Sequence, residues 1–189
     1  MTLFLDRDGV INRRLPGAYV KNWSQFEFLE GVLEALNLLA PLFDPIIIVT
    51  NQQGIGKGLM TEAELEQVHQ RMLEEITKAG GRIDAIFHCG DLASQPDNCR
   101  KPNPDMAFQA KKKFTQLIFS DSIIVGDSLS DMEFGANLGM KTVLIETKLE
   151  ELKKVAAAEG EGLRVDYRFG SLLDFAVWFL KLLTGPKPG

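Results

Sequence analysis

The sequence contains only two cysteines among its 189 residues. Two cysteines in a reducing compartment are not a disulfide scaffold, so we expect no disulfide framework. The N-terminus also lacks the charged, apolar and small-residue series of a signal peptide, because strand-like sequence already begins at Thr2. The sequence therefore predicts a cytoplasmic protein.

Basic residues are fewer than acidic residues in this sequence. The chain has 21 lysines and arginines against 26 aspartates and glutamates, which gives a formal net charge of −5. A nucleic-acid-binding surface needs a basic patch, so this balance argues against DNA or RNA as a partner. A few local basic side chains can still hold a small anionic substrate, because the overall charge says little about one pocket.

Long hydrophobic runs are absent as well. The most apolar stretch, residues 171–183, predicts a helix that is too short to span a bilayer and carries Asp174 and Lys181. We expect this helix to pack in the core or, as the alternative, to form a homodimer surface. The sequence thus predicts a monomer or a homodimer that does not enter a membrane.

The sequence also lacks internal repeats and low-complexity blocks. Hydrophobic residues make up 45% of the chain and charged residues 25%, which is ordinary for a globular protein. We expect one domain over residues 1–184 and a flexible tail over residues 185–189. No segment of about fifty or more residues separates the motifs described below, so a large cap domain has no room.

Short apolar runs alternate with stretches of helical periodicity. The predicted strands are residues 2–6, 45–50, 84–88, 122–126, 142–146 and 165–169. The predicted helices, besides 171–183, are residues 31–42, 61–79, 105–117, 130–138 and 149–158. This βαβ series predicts an α/β fold, a three-layer doubly wound parallel sheet of Rossmann type, with functional residues at the carboxyl ends of the strands.

Two carboxylates, Asp6 and Asp8, follow the first predicted strand and precede Gly9. A bend after Asp6 would let both carboxyl groups converge, and a bound cation would offset their repulsion. An Asp-x-Asp-Gly sequence also forms ordinary turns and parts of calcium loops. No third acid or closing glutamate follows at the spacing of a calcium loop, so a catalytic pair and a turn remain as interpretations.

The second predicted strand ends in neutral phosphate donors, the hydroxyl of Thr50 and the amides of Asn51 and Gln52. Several glycines follow, but neither the Walker pattern nor Gly-x-Gly-x-x-Gly is satisfied around Lys57. We therefore expect a loop and then a helix capped by Thr61, rather than a nucleotide site.

A second pair of acids, Asp127 and Asp131, follows the fourth predicted strand. Ser130 or Asp131 could cap the next helix, whereas Asp127 has no such explanation. Upstream of this strand, Arg100 and Lys101 lie in a loop stiffened by two prolines. That loop is either an exposed basic turn or part of a phosphate site.

Together these four stretches resemble, in order, the motifs of the haloacid dehalogenase (HAD) superfamily of aspartate-nucleophile phosphatases. Within it, residues 4–12, 50–58 and 99–106 resemble the heptose bisphosphate and histidinol phosphate phosphatases, and residues 17–20 and 26–32 resemble the heptose enzymes. The resemblance implies a magnesium-dependent phosphomonoester hydrolase that acts through an aspartyl-phosphate. Its substrate would be a small phosphorylated sugar, with the phosphorylated amino alcohol histidinol phosphate as the alternative.

The resemblance also implies catalytic roles. Asp6 would be the nucleophile. Asp8 would act as general acid and then as general base, which requires its carboxyl group to be protonated in the ground state. Thr50 and Lys101 would hold the phosphoryl oxygens as charge spreads over them.

Metal and substrate ligands follow from the same resemblance. Magnesium prefers hard oxygen ligands, so the carboxylates of Asp6 and Asp127 and the backbone carbonyl of Asp8 would bind it. Asp131 would lie behind these ligands and orient metal-bound water. The rest of the substrate would contact residues on short loops, namely Arg14, Tyr19, Asn51, Gln52 and Arg100.

The family often carries a zinc loop with the pattern Cys-x-His, a spacer and Cys-x-Cys before its Arg-Lys pair. Only the outer residues of that pattern, Cys89 and Cys99, are present here. We expect the ring of His88 to turn into the core. A zinc site of cysteine and aspartate is the alternative, but structural sites overwhelmingly use sulfur and imidazole, so we expect no stoichiometric zinc. Cys89 and Cys99 should instead be free or oxidised to one another.

Two other protein classes share some of these features. A phospho-receiver domain also has acids, a threonine and a lysine on a parallel sheet, but its acceptor aspartate follows a middle strand of the sequence. A non-catalytic binding module should have lost at least one of Asp6, Asp8, Lys101 and Asp127, and all four are present. We therefore expect an enzyme.

Overall fold

The first strand of the chain lies in the middle of a parallel sheet. The computed structural model describes residues 1–185. Its strands are β1 Thr2–Leu5, β2 Ile46–Asn51, β3 Ala85–Cys89, β4 Ser122–Gly126, β5 Lys141–Ile145 and β6 Tyr167–Phe169. They pair in the order β3-β2-β1-β4-β5-β6, and every pair is parallel. The predicted doubly wound sheet is confirmed.

Helices cover both faces of the sheet. They are α1 Val32–Leu39, α2 Glu62–Lys78, α3 Asp105–Lys113, α4 Leu129–Asn137, α5 Leu149–Gly160 and α6 Leu172–Thr184. Buried side chains of α1, α2 and α6 pack in one hydrophobic cluster with residues of β1, β2 and β4, and those of α3 and α4 pack in a second. β1 is buried on both faces, because all four of its side chains are inaccessible. The strand that leads to Asp6 is therefore packed between the two layers of helices.

Several element boundaries differ from the predicted ones. α1 begins at Val32 rather than residue 31, because Gly31 has a φ of 73° and serves as the N-cap. α3 ends at Lys113 rather than residue 117, because Phe114 leaves the helical region with a ψ of 82°. β6 begins at Tyr167 rather than residue 165. These shifts lie at element ends, where local sequence specifies structure least.

The helix after β4 is capped by Ser128 and not by Ser130, which corrects the prediction. The Ser128 hydroxyl donates to Oδ2 of Asp131 at 2.6 Å, and the Ser128 backbone N–H donates to the same oxygen at 3.1 Å. Asp131 is thereby fixed in the first turn of α4. A Cβ atom on Gly126 would lie 2.1 Å from Cβ of Asp131, so the glycine allows this close approach.

The last helix, α6, packs in the core as predicted. Phe175 and Phe179 are buried, and the Phe179 ring lies 4.7 Å from that of Phe43. Leu182 and Leu183, at the end of the helix, are more than half exposed. Over residues 1–185, no helix combines the length and the apolar character that crossing a bilayer needs. Apart from Gly185, the predicted flexible tail lies outside the described residues.

Candidate active site

Three neighbouring strands end at one pocket. Asp6 directly follows β1, Thr50 lies near the end of β2, and Asp127 directly follows β4. Because β2, β1 and β4 are adjacent and parallel, their carboxyl ends bring these side chains to one edge of the sheet. The pocket has a volume of about 550 Å³, and Asp6, Thr50 and Lys101 are part of its wall. No inserted domain covers it within residues 1–185.

Lys101 contacts both Asp6 and Asp131. Its Nζ lies 2.8 Å from Oδ1 of Asp6 and 2.6 Å from Oδ1 of Asp131, and it donates to the Val49 carbonyl at 2.6 Å. All three charged side chains are buried. Burial raises the pKa of Asp6 to about 7, although the Lys101 ammonium lowers it. Burial alone would lower the pKa of Lys101, but the two carboxylates outweigh it and raise the pKa.

Asp8 is gripped by hydrogen-bond donors. Arg7 donates to its carboxylate from Nε and Nη2, and Asn12 and Gln52 donate from their amide groups at 3.0 and 2.8 Å. Burial alone would raise the pKa of Asp8, but Arg7 and the amides hold the pKa below its usual value. In this arrangement Asp8 is ionised, which differs from the expectation that it is protonated in the ground state.

The cation that grips Asp8 is itself fully buried. The Arg7 side chain has no exposed surface, and its Nη1 lies 3.0 Å from Nε2 of His69 in α2. Because an arginine always donates, Nε2 of His69 must be the acceptor and the ring must be neutral. Burial and the Arg7 charge lower the pKa of His69 to about 3. Neither Arg7 nor His69 was assigned to the site from the sequence.

Asp127 is buried and contacts two partly exposed cations. Nη2 of Arg14 donates to Oδ1 of Asp127 at 3.2 Å, and Nζ of Lys148 contacts Oδ2. Burial raises the pKa of Asp127, although Arg14 and Lys148 lower it. Gly9 makes room for this carboxylate, since a Cβ atom there would lie 1.8 Å from Oδ2 of Asp127. Lys148, which follows β5, was not identified from the sequence.

The oxygen atoms at the strand ends fit a divalent cation. Carboxylate oxygens of Asp6, Asp127 and Asp131 lie within 4.8 Å of one another. The backbone carbonyl of Asp8 faces the same place, because one guanidinium nitrogen of Arg14 lies 3.1 Å from it and 3.2 Å from Asp127. Magnesium prefers a set of hard oxygen donors such as this one. The donor chemistry therefore suits the predicted ligands Asp6, Asp8 and Asp127.

Two residues that were predicted to contact the substrate instead form hydrogen bonds to other residues of the site. Gln52 is buried, and its amide nitrogen donates to Asp8 and to the Thr50 hydroxyl, both at 2.8 Å. The Asn51 amide accepts from the backbone N–H of Lys101 at 2.9 Å and donates to its carbonyl at 3.2 Å. Asn51 thus fixes the loop of Lys101, while Gln52 positions the acids and the hydroxyl.

The other predicted substrate contacts are part of the pocket wall. Arg14, Tyr19 and Arg100 all line the pocket. Nη1 of Arg100 is buried without a hydrogen-bond partner among the described residues, so it is available to an anionic group. Nζ of Lys57 lies 5.5 Å from the centre of the Tyr19 ring and adds a cation to the same wall.

The cysteine loop bears on two expectations, of which that for His88 is corrected. Cys89 and Cys99 are joined by a disulfide bond with their Cα atoms 5.6 Å apart, which is one of the two states expected for these cysteines. His88 does not turn into the core, because its Nε2 lies 2.7 Å from a carboxylate oxygen of Glu62 and part of its side chain is exposed. Asp91 accepts from the Cys99 backbone N–H at 2.9 Å. The disulfide thus closes the loop directly before Arg100 and Lys101.

Comparison with known proteins finds close relatives. Residues 98–172 match a family model described as HAD-hydrolase-like. The chain is 38% identical over 175 residues to the D-glycero-alpha-D-manno-heptose-1,7-bisphosphate 7-phosphatase of Mycobacterium bovis, a match that covers 93% of this chain and 89% of that protein. It is 32% identical over 186 residues to the D-glycero-beta-D-manno-heptose-1,7-bisphosphate 7-phosphatase of Neisseria meningitidis, covering 98% and 97%.

A solved structure is also similar. The D,D-heptose 1,7-bisphosphate phosphatase of B. bronchiseptica, complexed with magnesium and phosphate, is 30% identical to this chain with a TM-score of 0.84. The match covers 96% of this chain and 98% of that chain. The similarity therefore extends over the whole sheet and the pocket, and not only over the matched family segment.

Proposed function

This chain belongs to the family of HAD-like heptose-bisphosphate phosphatases, and on that premise we propose that it removes the 7-phosphate of D-glycero-D-manno-heptose 1,7-bisphosphate. The observation that carries the proposal is the buried triad in which Lys101 contacts both Asp6 and Asp131. A nucleophilic carboxylate next to a fixed ammonium suits attack on a phosphoryl group, whose negative charge would otherwise repel it.

Asp6 attacks the phosphorus atom, and the sugar oxygen leaves. The product of this step is an aspartyl-phosphate on Asp6, so one slow hydrolysis is replaced by two faster steps. Lys101 and Thr50 hold the phosphoryl oxygens, since both line the same pocket as Asp6. Asn51 keeps Lys101 in place through its two hydrogen bonds to the Lys101 backbone.

Asp8 moves the protons. To protonate the leaving oxygen it must first take up a proton, and the negative charge of a bound phosphate favours this because like charge raises a carboxyl pKa. Once it has given up that proton, Asp8 is the base that deprotonates the water attacking the aspartyl-phosphate. Arg7, Asn12 and Gln52 position the carboxylate for both steps.

The carboxylates of Asp6 and Asp127 and the carbonyl of Asp8 would hold magnesium. When bound, it would neutralise charge on the nucleophile and on the phosphoryl oxygens. Asp131 orients the site through Lys101 and through its bonds to Ser128. The chain's own cations, Arg14 and Arg100, line the pocket and are placed to bind the remainder of a bisphosphate substrate.

The test is phosphate release from heptose 1,7-bisphosphate and from histidinol phosphate, assayed side by side with Asp6→Asn as the inactive control. Because relatives that act on either anomer are known, both the alpha and the beta bisphosphates are used. We expect a higher kcat/KM for a heptose bisphosphate, with phosphorus NMR showing loss of the 7-phosphate. A preference for histidinol phosphate, or loss of the 1-phosphate, would overturn the proposed substrate.

A further inference from the structure

Arg14 lies at the point where the predicted metal ligands converge. Its Nη2 donates to the Asp8 carbonyl at 3.1 Å and to Oδ1 of Asp127 at 3.2 Å. The same nitrogen lies 4.0 Å from Oδ2 of Asp6. One guanidinium nitrogen therefore contacts or approaches all three groups that would bind the cation. The side chain reaches this place from an exposed loop and is itself 41% exposed.

The charges of the site balance without any further cation. Each of the four acids contacts at least one basic side chain of the same chain. Asp8 pairs with Arg7, Asp6 and Asp131 pair with Lys101, and Asp127 pairs with Arg14 and Lys148. Two of these cations, Arg7 and Lys101, are buried and fixed. Arg14 is the more exposed of the other two, so it moves out at the least cost in packing.

We propose that Arg14 is an internal counter-cation that competes with Mg²⁺ for these three oxygens and is released when the metal binds. The inference rests on the magnesium site of the proposed function. Two positive groups cannot share the same oxygens at contact distance, because like charges that close repel strongly. Metal binding therefore requires the guanidinium to leave, and the hydrogen bonds it makes to Asp8 and Asp127 oppose metal binding.

Exchange of Arg14 for Mg²⁺ changes the charge of the pocket. Before exchange the acids are neutralised by the chain's own cations, so a phosphate dianion gains little by entering. After exchange the site carries the metal's charge, and Arg14, which lines the pocket, has a free guanidinium. A bidentate guanidinium suits a phosphate group. The order of binding that follows is metal first and substrate second.

The test measures Mg²⁺ binding by titration calorimetry on protein stripped of metal with a chelator. Arg14→Ala removes the competing cation, so we expect it to bind Mg²⁺ about two- to fivefold more tightly than the wild type, the range for loss of a half-exposed ion pair. Without Mg²⁺ this variant should melt below the wild type, because Asp127 loses a partner. Saturating Mg²⁺ should then raise its Tm by more than that of the wild type.

Lys57→Ala is the matched control. It removes one positive charge from the same pocket wall, but Lys57 lies over the Tyr19 ring and does not contact the acids. We expect its Mg²⁺ affinity to change by less than about twofold at an ionic strength of about 0.15 M, where charges beyond a Debye length are screened. If Lys57→Ala and Arg14→Ala changed the Mg²⁺ affinity equally, the cause would be the overall positive charge of the pocket wall. The proposed competition between Arg14 and Mg²⁺ would then be wrong.

The guanidinium itself gives a direct readout. In protein with ¹⁵N-labelled arginine, the Nε–H resonance that is missing from Arg14→Ala belongs to Arg14, and we expect Mg²⁺ to shift it. Unchanged or weaker Mg²⁺ affinity of Arg14→Ala, with no shift of that resonance, would refute the exchange while leaving the metal site intact. Absence of Mg²⁺ binding by the wild type would refute the metal part of the proposed function and the exchange with it.

Discussion

Nη1 of Arg7 donates to Nε2 of His69 across 3.0 Å, although 62 residues separate the two along the chain. Both side chains are buried, and the other nitrogens of the guanidinium hold the carboxylate of Asp8. His69 can accept this hydrogen bond only while its ring is neutral. A histidine in α2 therefore positions the predicted general acid and base through an arginine.

Protonation of His69 should make the stability of the protein depend on pH. Its pKa is lowered to about 3 in the folded protein, so between about pH 6.5 and pH 3 the unfolded chain binds the extra proton. Stability from this group is present above about pH 6.5 and falls as the pH decreases, by up to about 1.4 kcal/mol per pH unit. Urea unfolding at about pH 7 and about pH 5 measures this loss.

His69→Gln should lose less stability between these two pH values than the wild type, since glutamine offers an acceptor oxygen but does not titrate. His88→Gln is the control, because the His88 side chain is partly exposed and bonds to Glu62 rather than to Arg7. Equal losses in the wild type and in His69→Gln would show that His69 is not the group that titrates.

Asp6→Asn and Asp8→Ala should fail at different steps. Asp6→Asn removes the attacking oxygen anion, so neither phosphoenzyme nor product should form from any substrate. Asp8→Ala lacks the proton donor, but an aryl phosphate has a leaving group that needs little help, so the first step should survive. Rapid mixing should then release up to one equivalent of phenol and leave a hydroxylamine-labile phosphate on Asp6. Steady turnover without a burst, or a label on another residue, would contradict the assigned roles.

Lys101→Ala should lower kcat by orders of magnitude, because the ammonium contacts Asp6, the proposed nucleophile, and in the proposed mechanism holds the phosphoryl oxygens. It should also destabilise the fold by about 3–5 kcal/mol, since Asp6 and Asp131 would stay buried without their cation. Circular dichroism separates the two effects by showing how much protein remains folded during the assay. Lys112→Ala, in an exposed part of α3, is the control. If Lys101→Ala folds and keeps the wild-type rate, Lys101 has no role in catalysis and only a structural one.

The purified protein should contain less than one zinc per chain, because Cys89 and Cys99 are bonded to each other and offer no free thiolate. Thiol titration of denatured protein, prepared without reductant, should accordingly find fewer than two free thiols. The paired control is the same titration after reduction, which should find both. One tightly bound zinc per chain, lost when both cysteines are changed to serine, would contradict this prediction.

The sequence predicted the parallel sheet and the meeting of acidic residues at one of its edges, because both follow local rules. Apolar runs such as residues 46–49 are buried strands in a parallel sheet, and polar residues directly after them meet at one edge. The boundaries of α1 and α3 were less predictable, since they depend on backbone angles at Gly31 and Phe114. The cytoplasmic location and the monomeric or homodimeric state remain predictions.

The part of the site that the sequence did not predict consists of contacts between residues from distant segments of the chain. Arg7 stands between two acids in the sequence, but only the folded chain places it against His69. Lys148 follows β5 and reaches Asp127 across the strand ends. Neither the hydrophobic periodicity nor the motif spacing of the sequence predicts such contacts. A fully buried arginine requires a partner, but one sequence without its fold does not show which residue that is.

The position of β1 in the sheet determines when the site can form during synthesis. Of the six described strands β1 is translated first, yet Thr2 pairs with Ser122 and Leu5 with Val125 in β4. Until the ribosome has released Gly126, one edge of β1 has no neighbour, and Asp6 has neither Asp127 nor Asp131 beside it. Such long-range pairing closes late, and the unpaired apolar strand is exposed meanwhile. Nascent chains shorter than this should therefore need chaperone protection and should show no phosphatase activity.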